Sequence, residues 1–124
     1  MTVQFDSNTP IYLQIADMIR QSILAGEIKE GESIPSVRQI SVEQNLNPQT
    51  VLNATQLLIN DGLIEKRRGL GMFVTQGAYN KLMQIECDKF RQEEIPATVN
   101  RAKLLDISEE ELVKIVKKSY EEEE

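Results

Sequence analysis

Apolar positions recur at helical spacing near the start of the chain. Ile11, Ile15, Met18, Ile19 and Ile23 form one stripe, which predicts a helix with Thr9 as its cap, Pro10 as its first residue and Gly26 at its end. The periodicity lapses over Glu27 to Ser33, a charged connector with a turn expected at Gly31. It returns at Ser36, which forms a capping box with Gln39, and Val37, Ile40 and Val42 are expected to face inward. Asn45-Leu46-Asn47 has turn chemistry, and Asn47 followed by Pro48 suits the start of a second helix. Val51, Ala54, Leu57 and Leu58 give that helix a buried face, and Gly62 supplies a left-handed end. Leu63–Lys66 and Met72–Thr75 then read as short strands. The turn from Arg67 to Gly71 contains two glycines that permit positive φ, Gly69 and Gly71.

Gly77 marks a boundary, giving residues 1–76 and 77–124 as the expected domains. Tyr79, Leu82, Met83 and Phe90 share a helical face. A break is expected over Glu93–Pro96, because the residue before proline disfavours helix. Val99, Ala102, Leu104 and Leu105 suggest another helix. Ser108 with Glu111 opens a last one that carries Leu112, Ile115 and Val116. The expected fold is mainly α with a small β wing: a winged helix-turn-helix plus a short C-terminal helical dimerisation segment. So short a segment cannot bury all these apolar faces. A second copy is the expected cover, with Tyr79, Leu82, Met83, Phe90, Leu112, Ile115 and Val116 on the dimer face.

Composition narrows the function. At 124 residues and 40% hydrophobic content the core is small, and dimerisation would support it. No apolar run is long enough to cross a membrane, and MTVQFDSNTP lacks the regions of a signal peptide, so a cytoplasmic protein is expected. Histidine is absent, which removes the commonest general base. With one cysteine, Cys87, no usual zinc set can form within the chain; Cys87 reads as a small packed side chain. Neither enzyme activity nor a cofactor or metal is expected. Gly69-Leu70-Gly71 lacks the third glycine and the strand-to-helix setting of a nucleotide loop.

The net charge of −6 is unusual for a nucleic-acid binder. It divides as −2 through Thr75 and −4 beyond. The basic charge that matters is local: Lys66, Arg67 and Arg68 at the hairpin, and Arg38 on the first helix of the pair. A basic cluster alone is usually a solvated face. On a hairpin beside a helix-turn-helix it reads as a DNA wing, with Gly69 letting the backbone approach the minor groove. The second helix begins with Asn47, Gln49, Thr50 and Asn53, and asparagine or glutamine can pair with adenine at about 1–3 kcal/mol of discrimination. For Asn47 a pure capping role stands beside base contact. For Thr50 a phosphate contact or local backbone bond is the alternative, and for Gln49 and Asn53 a solvated face.

Residues Pro10 to Thr75 resemble the DNA-binding domain of the GntR family of bacterial regulators. The motifs are Pro10-Ile11-Tyr12, Gly31-Glu32-Ser33-Ile34-Pro35-Ser36-Val37-Arg38, Asn47-Pro48-Gln49-Thr50-Val51, Asp61-Gly62-Leu63-Ile64 and Arg68-Gly69-Leu70-Gly71-Met72-Phe73-Val74. The helix start and the short C-terminal part look most like the YtrA subfamily. The resemblance implies a DNA contact at Arg38, for which a solvated surface arginine is the alternative, and dimerisation through the C-terminal helices; Ser36, two residues before Arg38, is counted with it as a DNA-contact candidate. The resemblance also implies a cytoplasmic homodimer that represses a palindromic double-stranded operator, with a transporter operon as a target by analogy and no effector identified. Many relatives carry a basic residue where Leu52 and Asn53 stand, which hints at A·T preference. The rival reading is a winged helix that scaffolds proteins without binding DNA; the acidic balance favours it and the basic wing opposes it.

Overall fold

The computed structural model describes Phe5 and residues 7–122, so the arm expected over residues 1–8 and the glutamate run at the C-terminus lie partly outside the described residues. Two compact units emerge, Met1–Gln84 and Ile85–Glu124.

The first unit contains α1 (Ile11–Leu24), α2 (Val37–Gln44), α3 (Pro48–Asn60), β1 (Ile64–Arg67), β2 (Gly71–Val74) and the first turns of α4 (Ala78–Lys89). The stripes meet in one core. Ile15, Ile19 and Ile23 of α1 join Ile40 of α2 and Val51, Ala54 and Leu58 of α3. Leu63, Ile64 and Val74 of the hairpin and Ala78 and Leu82 of α4 complete it. Fully burying one of these isoleucine, leucine or valine side chains stabilises the fold by about 1.5–3 kcal/mol.

Local expectations need four corrections here. Helix α1 starts at Ile11: Pro10 stands outside it as the cap residue, in extended geometry, with no side-chain capping bond. Val42 is 75% exposed, because it falls two residues beyond Ile40 and off the inward stripe. Ser41 takes the buried place instead. Both strands lie one residue nearer the hairpin tip than expected, pairing Ile64 with Val74 and Arg67 with Gly71. The connector is also more than a loop. Gly31 N–H donates to the Val74 carbonyl, Val74 N–H to Glu32, and Ile34 N–H to Met72, each at 2.9 Å. A bridge between Ser33 and Phe73 thus adds a short third edge to the two-stranded sheet.

In the second unit the expected break at Glu93–Pro96 is absent. Helical backbone passes through a π turn, Phe90–Glu94, into α5 (Ile95–Leu104). Ile95 N–H reaches back to the Phe90 carbonyl, one residue further than in an α-helix. That wider turn lets Pro96 sit in the first turn of α5, where a missing N–H costs little. Asp106 turns left-handed at φ +57°, and Ile107 N–H bonds the Ala102 carbonyl to close α5. Ser108 Oγ accepts from Glu111 N–H at 3.1 Å and starts α6 (Glu109–Glu121).

Candidate nucleic-acid interface

The helix pair is fixed by local bonds that the sequence largely dictates. Ser36 Oγ accepts from Gln39 N–H at 3.1 Å, and Gln39 Oε1 accepts from Ser36 N–H at 2.7 Å. Two otherwise unpaired donors at the start of α2 are thereby satisfied. Asn47 Oδ1 accepts from Gln49 N–H at 2.8 Å and starts α3. Between them Asn45 adopts φ +54°. The Ser41 hydroxyl donates to the Leu46 carbonyl at 2.6 Å while Leu46 N–H returns to the Ser41 carbonyl at 2.9 Å. Ser41 therefore pins the turn between the helices, a role that its place inside a predicted helix did not announce.

The far end of α3 is also held. Arg20 of α1 pairs with Asp61 at 3.3 Å, and Lys81 of α4 donates to the Asp61 carbonyl. Both cations sit at the negative end of the helix dipole, where such charges are stabilising. Glu30 in the connector accepts from Gly77 N–H at 3.0 Å and Tyr79 N–H at 3.1 Å, so it caps α4 from 47 residues away. No local sequence signal could have identified that carboxylate.

With α3 anchored, its outward face carries Gln49, Leu52, Asn53, Gln56 and Asn60, all exposed. Gln49 Nε2 donates to Asn53 Oδ1 at 3.0 Å, and Gln56 Nε2 donates to Asn60 Oδ1 at 2.9 Å. Two amide pairs therefore stand one after the other along the face. Thr50 lies to one side, half-buried. Arg38 projects from the first turn of α2 and is exposed.

The three basic residues of the hairpin do not form a single cluster. Arg67 donates to Glu65 Oε1 through Nε at 3.2 Å and a terminal nitrogen at 3.0 Å, and its guanidinium lies 4.2 Å from the Phe73 ring centre. Strand alternation sends Lys66 to the opposite face. There it lines a cleft of about 350 Å³ together with Leu52 and Gln56 of α3, Ser36 of the α2 cap, and Leu70. Arg68 begins the turn, followed by Gly69 at φ +76° and Gly71 at φ +111°, conformations that favour glycine. The hairpin thus offers Lys66 toward α3, Arg68 at its tip, and Arg67 held on the far side.

Of the residues expected on a dimer face, Leu82 is 1% exposed and belongs to the core of its own unit, because it falls on the side of α4 that covers the hairpin and α1 core. It is not part of an exposed stripe. Tyr79, Met83, Phe90, Ile115 and Val116 are exposed, and Leu112 is half-buried. Cys87 is a half-buried free thiol. Among the described residues no helix is long and apolar enough to cross a membrane, and no cluster of metal-ligating side chains is found.

Comparison with known proteins agrees with this arrangement. The profile of the family described as "Bacterial regulatory proteins, gntR family" matches residues 11–74. The HTH-type transcriptional regulator YhcF of Bacillus subtilis is 33% identical over 117 residues, covering 94% of this chain and 95% of that one. The HTH-type transcriptional repressor YtrA of the same organism is 37% identical over 84 residues, 66% of this chain and 65% of its own length. A GntR family transcriptional regulator from Listeria monocytogenes superimposes with a TM-score of 0.75 at 26% identity, over 92% of this chain and 98% of that one. These relatives are regulators, not enzymes. The match across the helix pair and wing, with whole-length similarity to YhcF, makes this chain a DNA-binding transcriptional regulator of the GntR family, in its YtrA-like branch.

Proposed function

We propose that the protein is a cytoplasmic homodimeric repressor that occludes a palindromic operator. The observation that carries this reading is the exposed amide face of α3 standing beside a basic hairpin, on a helix anchored at both ends. Gln49 and Asn53 contact base edges in the major groove. Ser36, Arg38, Thr50, Lys66 and Arg68 contact phosphates, and Gly69 lets the hairpin backbone approach the minor groove. Asn47 acts as the cap that aims α3, since its side-chain carbonyl is already engaged. Arg67 braces the hairpin through Glu65 and Phe73 and contributes long-range positive charge.

Residues up to about Gln76 read DNA, and the helices beyond pair two chains. The exposed Tyr79, Met83, Phe90, Ile115 and Val116, with Leu112, supply the pairing surface. Two-fold pairing presents two reading helices to half-sites about one helical turn, or a multiple, apart. Repression is carried over from the repressor YtrA, and control of a transporter operon rests on the family resemblance.

Fluorescence anisotropy with operator-like duplexes at two salt concentrations tests this reading. Binding should be steeply salt-dependent, with two chains per duplex. Arg68→Ala should weaken binding to all sequences and reduce the slope of log affinity against log salt by about 0.9 for one lost phosphate contact. Salt-independent or absent binding would refute the assignment.

A further inference from the structure

One member of the α3 reading face has no hydrogen-bonding group. Leu52 is 46% exposed, three residues after Gln49 and four before Gln56, on the flank that faces the hairpin cleft. Its neighbours on that face are amides, and no charged side chain shares the face. The Gln49–Asn53 bond uses Gln49 Nε2 and Asn53 Oδ1, so Gln49 Oε1 is left as an acceptor and the Asn53 amide nitrogen as a donor on this exposed face. Adenine presents the matching pair in the major groove, an N6–H donor and an N7 acceptor. Leucine beside that pair can make no bond to guanine, cytosine or adenine. It would strip water from their polar edges without replacing it, which is unfavourable. Thymine alone among the four bases presents an apolar group there, its C5-methyl.

We propose that Leu52 is a specificity-determining residue that selects thymine through contact with the C5-methyl group. The inference rests on the proposed placement of α3 in the major groove. It goes beyond that placement by assigning one base, and one group on that base, to one side chain.

The test uses the full-length protein and duplexes that it selects from a random pool. Each thymine of the selected site is replaced in turn by deoxyuridine, which lacks only the methyl group. At one thymine position the wild-type protein should bind the deoxyuridine duplex about fourfold more weakly, the equivalent of ~0.8 kcal/mol for one apolar carbon. Leu52→Ala should bind both duplexes equally at that position. Leu52→Met, which keeps an apolar body, should retain part of the preference. Because Leu52 is exposed, these changes should leave the circular dichroism spectrum and melting temperature near those of the wild type. The proposal is overturned if no thymine gives a deoxyuridine penalty in the wild type, or if the penalty survives undiminished in Leu52→Ala. Failure to enrich any sequence would overturn it too, by removing the DNA-reading placement on which it stands.

Discussion

The two units of this chain are built on unequal interiors. In residues 1–84, fourteen apolar side chains of α1, α2, α3, the connector, the hairpin and the root of α4 are buried among the described residues. In residues 85–124, Ala102 is the one apolar side chain buried among the described residues. Yet the second unit is no less helical. Its helices are set by local devices: the π turn around Pro96, the left-handed Asp106 and the Ser108 cap. Local devices define where helices begin and end, but helices of 10 and 13 residues are marginal in water without packing. The difference teaches that regular secondary structure and an interior are separate achievements. The reading unit has both, and the other helices need cover that their own unit does not supply.

The sharpest way to break this contrast is to damage the interior directly. Leu58→Ala removes a fully buried side chain from α3 and should lower the unfolding free energy by about 2–5 kcal/mol, in urea melts at every protein concentration. A loss below 1 kcal/mol would mean that the first unit is not a packed core. A smaller effect is expected from Ile115→Asp with Val116→Asp on α6, which are 49% and 47% exposed in the single chain. If a second chain covers them, sedimentation should show a dissociation constant raised at least tenfold, about 1.4 kcal/mol. The reading unit should melt nearly as before. Unchanged association would show that these helices find their cover elsewhere. The smallest effect belongs to Ser36→Ala, which opens the capping box of α2 and should cost about 1 kcal/mol, read as a modest fall in melting temperature. Its direction sharpens the point that caps tune a fold whose stability comes from burial.

The sequence was most legible where the physics is local. The Ser36–Gln39 box, the Asn47–Pro48 start and the stripe of Val51, Ala54 and Leu58 involve neighbours within one or two turns, and each forms as its spacing implies. Legibility failed where partners are distant. Glu30 caps α4, Lys81 reaches the end of α3, and Ser33 pairs with Phe73, all across separations no helical period encodes. It also failed where two local rules compete. Pro96 should end a helix, but a single wide turn accommodates it; Val42 is apolar, but the inward stripe of a short helix passes it by. At the interface, the residue types on α3 were readable. The division of Lys66 from Arg67 was not, because it depends on Arg67 lying within β1, where strand alternation sets it opposite Lys66, and not in the turn where it was expected.

A boundary at Gly77, the glycine that follows the hairpin, would suggest cutting there to move the reading head to another regulator. The side chain of Leu82 makes that the wrong place here. A fusion joined at Gly77 would leave the seat of Leu82 and Ala78 open to water, and the Glu30 carboxylate would keep its N–H partners only if the recipient chain starts its helix in the same place. The portable cassette therefore ends at Gln84, two turns into a helix that the recipient protein must continue in phase.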